Sequence, residues 1–222
     1  MSRNKRPHTR ISELFKEIAL LLTLIGPSPV LTSIYWFSFE DRDLQGAKQG
    51  GGSWHNHEIL PFYFPKNLPV ATETICETVS SYFLMPEKTK KRILVSLERL
   101  SFSLRRRSGG DAALELSIAL ESIFAEDYGE NTYKIGLRVA LLIGRDLDQR
   151  KRIRSVITAL YRQRSQFVHR GEFNKQIKPT GFEQPIEAKE LIKEAASYVA
   201  QSIKMIINLG AIPNWNEYEL GK

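Results

Sequence analysis

Residues 149–171, QRKRIRSVITALYRQRSQFVHRG, constrain the chain more than any other stretch, because they read as one long helix with an arginine on its apolar face. Ile153, Val156, Ile157, Leu160, Tyr161, Phe167 and Val168 recur at steps of three and four, the spacing that lays an apolar stripe along one side of a helix. At about 100° per residue, Arg164 falls near the middle of that stripe, between Leu160 and Val168. A guanidinium there needs a partner. His169 is rotated by roughly 140° from Arg164, onto a polar row with Ser165, Arg162, Thr158 and Lys151. One helix therefore predicts two faces, a core face holding Arg164 and a basic, hydroxyl-lined face ending in His169.

The same 23 residues hold six arginines and one lysine but no carboxylate. They account for much of the net charge of +7, which suits a polyanionic partner. At 222 residues and 42% hydrophobic composition, the chain has ample material for an ordinary soluble core. Cys76 is the one cysteine, which excludes an intrachain disulfide framework and a cysteine-cluster metal site. That usage fits a reducing cytoplasm, and Cys76 is expected to be buried as a small apolar residue. The opening MSRNKRPHTR followed by ISELFKEIALLLTLIG superficially resembles a secretion signal. Glu13, Lys16 and Glu17 interrupt it, and its apolar run is too short to span a bilayer, so an amphipathic helix is predicted and no membrane.

That first helix is expected to be capped by Thr9 and stopped by Gly26 and the prolines at 27 and 29. Residues 31–39, LTSIYWFSF, and 59–64 are short apolar or β-prone runs flanking a glycine-rich spacer at 46–53, which reads as a mobile loop. The two runs could pair as a hairpin or lie extended on helices. From residue 69 the pattern is helical. Segments are predicted at 71–84, stopped by Pro86, and at 88–107, stopped by Ser108, Gly109 and Gly110. A further helix is predicted from a cap at Asp111 to about 127, then YKIGLRVALLIG, then the basic helix capped by Asp146 or Asp148 and closed by Gly171. The last is predicted from Pro185 at its first turn to about 209. The fold class is thus mainly α: an antiparallel helical bundle at 69–210, an N-terminal extension at 1–68 with a helix and room for a short β-hairpin, and a tail at 211–222 that gives no clear pattern.

In the helix after Asp111, Glu121 falls inside a wide apolar arc while Glu115, Ser122 and Glu126 fall outside it. The simplest account pairs Glu121 with Arg164. Histidine takes protons near neutral pH and an arginine fork suits phosphate oxygens, so Arg164 and His169 together suit phosphodiester chemistry. Weaker motifs read as structure. WHNHE at 54–58 lacks the further ligands of a metal nuclease and reads as loop. Tyr35, Trp36, Phe37 and Phe39 read as a hydrophobic strand rather than a base-stacking platform, and Arg105, Arg106 and Arg107 as a solvated helix end.

Arg164, Ser165, Gln166, Phe167, Val168 and His169 match the R-x4-H signature of the HEPN superfamily, and LYRQRSQFVHRG resembles its Apea-like branch. The order of predicted helices over 88–209 is similar to that branch. The resemblance implies an all-α domain that forms a homodimer, with two signature helices facing each other across one composite groove for RNA. It further implies a metal-independent endoribonuclease with no cofactor, in which His169 draws the proton from the ribose 2′-hydroxyl and Arg164 stabilises the phosphorane. Many members place Asn, Asp or His directly after the arginine; here it is Ser165, as is usual in the Apea-like branch. Ser165 and Glu121 are the supporting residues, and Arg162, Lys151, Arg154 and Arg170 the candidate RNA-binding ones. The setting the resemblance implies is a toxin or antiviral effector acting on tRNA or other transcripts, with a possible antitoxin or sensor partner. Other members of the superfamily bind nucleotide, RNA or protein without cutting, and this is the alternative reading.

Overall fold

The computed structural model describes residues 7–30, 34–37, 50–53, 73–126 and 132–221, with 7–10, 34–37 and 50–53 described as backbone. Among them are eight α-helices and two short antiparallel strand pairs, so the chain is mainly α. Helix α1, Pro7–Leu22, starts two residues before the expected cap at Thr9, with a proline in the first turn where its missing N–H costs nothing. A 3-10 turn, Thr23–Ile25, and Gly26 at φ 134° end it. Leu20, Leu21 and Leu24 join the core of the later helices, so that core runs across the expected boundary at residue 68.

Strand β1, Ile34–Phe37, pairs antiparallel with β2, Gly50–Ser53. The hairpin partner is therefore the end of the glycine spacer that the sequence marked as loop. Tyr35, Trp36 and Phe37 face Gly52, Gly51 and Gly50 in register. Glycines carry no side-chain alternation to read, yet opposite aromatics they can complete a ladder. The run at 59–64, the WHNHE segment and Phe39 lie outside the described residues.

The bundle proper begins with α2, Glu73–Leu84, in which Cys76 is exposed, not buried. Pro86 then precedes α3, Glu87–Ser103, which buries Ile93, Leu97 and Leu100 as its stripe predicts. It stops four residues short of the expected end at 107. Of the three arginines beyond it only Arg107 is exposed: Arg105 is buried, donates to the Ser101 carbonyl at 3.2 Å and stacks 4.8 Å from the centre of the Phe102 ring. Three residues after Arg105, Ser108 caps α4, Gly109–Phe124, accepting from the Asp111 N–H at 3.3 Å. The expected cap, Asp111, sits instead in the first turn, where a carboxylate favours the positive end of the helix dipole.

Helix α4 is covered on most sides, by α3 and by the helices α5, Thr132–Ile143, α6, Leu147–Arg170, and α7, Ala188–Leu209. This reverses the expected roles of its two carboxylates. Glu115, placed outside the apolar arc, is only 4% exposed and takes Arg99 at 3.0 Å and Arg106 at 2.6 Å. Glu121, placed inside the arc, is half-buried. The most deeply buried cation among the described residues is one that periodicity passed over: Arg138 on α5 is fully buried, with its Nε donating to Glu219 at 2.6 Å and Nη1 to the Phe124 carbonyl at 2.5 Å.

Before α7 the chain forms a two-residue ladder, β3, Gln176–Ile177, with β4, Ile186–Glu187. It takes up the residues after Pro185, and α7 starts three positions later than expected. The tail forms a short helix α8, Trp215–Leu220, capped by Asn214. Trp215 is fully buried, its indole N–H on the Ile123 carbonyl at 3.0 Å and its ring 4.8 Å from that of Phe124. No helix among the described residues is long and apolar enough to cross a membrane. Replacing Trp215 by alanine should therefore cost about 3–5 kcal/mol of stability, read as a lower urea midpoint; an unchanged midpoint would show that α8 is not docked.

Candidate functional site

The signature residues occupy the carbonyl end of α6. That helix is a single uninterrupted rod because both ends are closed locally: Asp146 accepts from the Gln149 N–H at 2.8 Å, and Gly171, at φ 69°, returns its N–H to the Phe167 carbonyl at 2.9 Å. His169 and Arg170 stand in the last turn, where cations favour the negative end of the dipole. The expected polar row is on the surface, with Lys151, Arg162, Ser165 and His169 exposed and Thr158 half-buried. Arg170 and Arg154 are also exposed, but Arg154 lies with its guanidinium 4.4 Å from the centre of the Tyr133 ring on α5. It is tied to an aromatic face and set to one side of the row.

Arg164 leaves the helix on another side. It is half-buried on the seam between α6 and α4, and its Nε is buried with no hydrogen-bond partner. Among the described residues it makes no ion pair, so the expected Arg164–Glu121 bridge does not form. Tyr161 lies beside both instead. Its hydroxyl is 3.4 Å from the Ser117 carbonyl, and its pKa is pushed up first by burial and then by the Glu121 charge, with Arg164 pulling the other way. Glu121, Tyr161 and Arg164 thus form a charged cluster with the phenol among its members, and the arginine is left with capacity for an anion.

Close packing fixes this end of α6. A Cβ on Gly110 would lie 2.2 Å from the Phe167 ring, so the aromatic of the signature sits directly on the bare backbone at the start of α4. Side-chain amides hold the following segment. Gln163, almost wholly buried, accepts from the Asn174 N–H at 3.0 Å, and Asn174 donates to Gln166 at 3.0 Å. Gln163 falls within the apolar arc of α6, and a polar residue there was the available signal.

Within one chain the two signature side chains do not converge. They are about 7.5 Å apart along the axis and roughly 140° apart around it. Arg164 faces the α4 seam and His169 faces solvent. Around the seam, Leu114 and Ile118 of α4 are half-buried and Val168 is 48% exposed, so apolar surface adjoins the arginine. No group of three or more His, Cys, Asp or Glu side chains arranged to hold a metal ion occurs among the described residues. Comparison with protein-family models, curated proteins and solved structures gave no match.

The Gly110 contact is testable. Helix propensity favours alanine over glycine by about 1 kcal/mol, but overpacking against Phe167 should outweigh it, leaving Gly110→Ala less stable by about 1–3 kcal/mol. Adding Phe167→Leu should recover part of the loss in chemical denaturation, and a Gly110→Ala protein more stable than wild type would contradict the contact.

Proposed function

We propose that the chain is a metal-independent endoribonuclease of HEPN type. The observation that carries the reading is Arg164, a half-buried cation without a carboxylate partner among the described residues, at the same helix end as an exposed histidine from which a basic row runs back along α6. An unpaired guanidinium held in a partly dry seam is costly unless an anion meets it. A phosphodiester is such an anion, and its negative charge grows as a nucleophile attacks.

In this reading His169 removes the proton from a ribose 2′-hydroxyl. The oxygen attacks the adjacent phosphorus and the bond to the 5′ oxygen breaks, that oxygen taking a proton from water, giving a 2′,3′-cyclic phosphate and a 5′-hydroxyl end. Arg164 stabilises the charge on the phosphorane, with Glu121 and Tyr161 limiting how far the guanidinium swings. Arg162, Lys151 and Arg170 hold the RNA backbone along the exposed row; Arg154 joins them only by leaving Tyr133, and Ser165 borders the reacting group. Because the two side chains leave α6 on different faces, the reading requires two copies of the chain, so that His169 of one protomer and Arg164 of its partner share a phosphate. The half-buried leucine and isoleucine of α4 and the exposed Val168 supply apolar surface for that pairing. A cytoplasmic toxin or anti-phage role on tRNA or other transcripts, with an antitoxin or sensor partner, belongs to the same reading and rests on the resemblance of the signature.

The lack of convergence within one chain favours a second reading, a HEPN-type module that binds nucleotide, RNA or protein without cutting. Cleavage of total RNA in EDTA separates the two. Arg164→Ala and His169→Ala should each lower the rate by about a hundredfold or more, with the dimer mass unchanged in light scattering. Wild-type protein that never cuts, yet binds RNA with a steep salt dependence, would establish the second reading instead.

A further inference from the structure

A second cationic feature lies at the opposite end of α6. Where α5 ends, α6 begins and the last turns of α7 pass, a cleft of about 480 Å³ opens. That is within the usual size of small-ligand sites. Arg145, Arg150 and Lys204 line it together with the amides of Gln149, Gln201 and Asn208, and no carboxylate is among its lining residues. The two carboxylates of the adjoining turn are not among the lining residues: Asp146 accepts the Gln149 N–H at 2.8 Å, and Asp148 is exposed, 3.6 Å from Lys151.

The cleft is built by a glycine. A Cβ on Gly144 would lie 2.5 Å from Arg150 Cγ and 2.5 Å from the Ala140 carbonyl oxygen. The stem of Arg150 therefore lies across bare backbone, and its Nε donates to the Gly144 carbonyl at 3.0 Å. Its terminal nitrogens have no protein partner among the described residues. Lys204 is half-buried with neither hydrogen bond nor ion pair among them, and burial pulls its pKa below the usual lysine range. A half-buried ammonium without a counter-ion carries a desolvation cost, and an anion in the cleft offsets it. A phosphate group meets several cations at once, whereas a single carboxylate satisfies one arginine fork.

We propose that this cleft binds a small phosphorylated anion, with Arg150 and Lys204 on the phosphate and Arg145 closing from the solvent side. The amides and the half-exposed Met205 meet the remainder of the ligand. The site is about 28 Å along α6 from His169, and it stands whether or not the other end cleaves RNA.

Calorimetric titration of the full chain with inorganic phosphate, pyrophosphate and AMP, in about 0.15 M chloride to screen loose association, tests it. One-to-one binding is expected, weakened about tenfold or more by Lys204→Met and by the exposed, structurally undemanding Arg145→Ala. AMP binding more tightly than phosphate identifies an organic phosphate as the ligand; equal affinities identify the free anion. No saturable binding of any probe up to about 5 mM, binding that both substitutions leave unchanged, or binding of RNA alone would overturn the proposal.

Discussion

The carbonyl end of α4 is the constraint around which the other helices are arranged. A helix buried there has four terminal carbonyls to satisfy, and each has a donor. The Glu121 carbonyl takes the Ala125 N–H at 3.1 Å, and the Ser122 carbonyl takes Arg92 Nε at 2.8 Å. The Ile123 carbonyl takes both Arg92 Nη2 and the Trp215 indole at 3.0 Å, and that of Phe124 takes Arg138. Two guanidinium groups, from α3 and α5, thus meet the negative end of the helix dipole, where a cation is favoured. This closure lets α4 be covered by α3, α6 and α7, and it places α5 and α8 as well.

Periodicity revealed most helices because it reports which side of a helix is apolar. It is silent on how many neighbours cover that helix. Glu115 read as an outward carboxylate because α4 has polar residues on that side; the covering α3 turns the position inward, where Arg99 and Arg106 neutralise it. Arg92 and Arg138 were invisible for a related reason: their partners include backbone carbonyls, Glu126 and a tail glutamate, brought near only by the fold. The short α8 has too few residues for a stripe, and the glycines of β2 have no side chains to alternate. At the candidate site, Arg164 stood out as misplaced and is indeed half-buried, and the exposed row of Lys151, Arg162, Ser165 and His169 was legible from angle alone. That Arg164 and Glu121 form no bridge was not legible, because a helical wheel gives directions and no distances across a seam.

Two glycines do equivalent work at the ends of α6. Gly110 receives the Phe167 ring on bare backbone, and Gly144 receives the Arg150 stem. In both, the missing Cβ sets how closely a side chain of α6 approaches the neighbouring helix, and thereby which of its atoms remain for solvent. Neither glycine has a left-handed backbone, so their role is room rather than turn geometry.

The three leucines that α1 and its 3-10 turn send into the common core bear on how the protein can be divided. Leu21 and Leu24 are completely covered and Leu20 nearly so, against α2, α3 and α7. A fragment starting at residue 69 would carry the bundle helices but leave an oily trench along them. Water contact with that much hydrocarbon promotes self-association, so such a fragment would clump, and an altered activity in it would reflect a damaged scaffold.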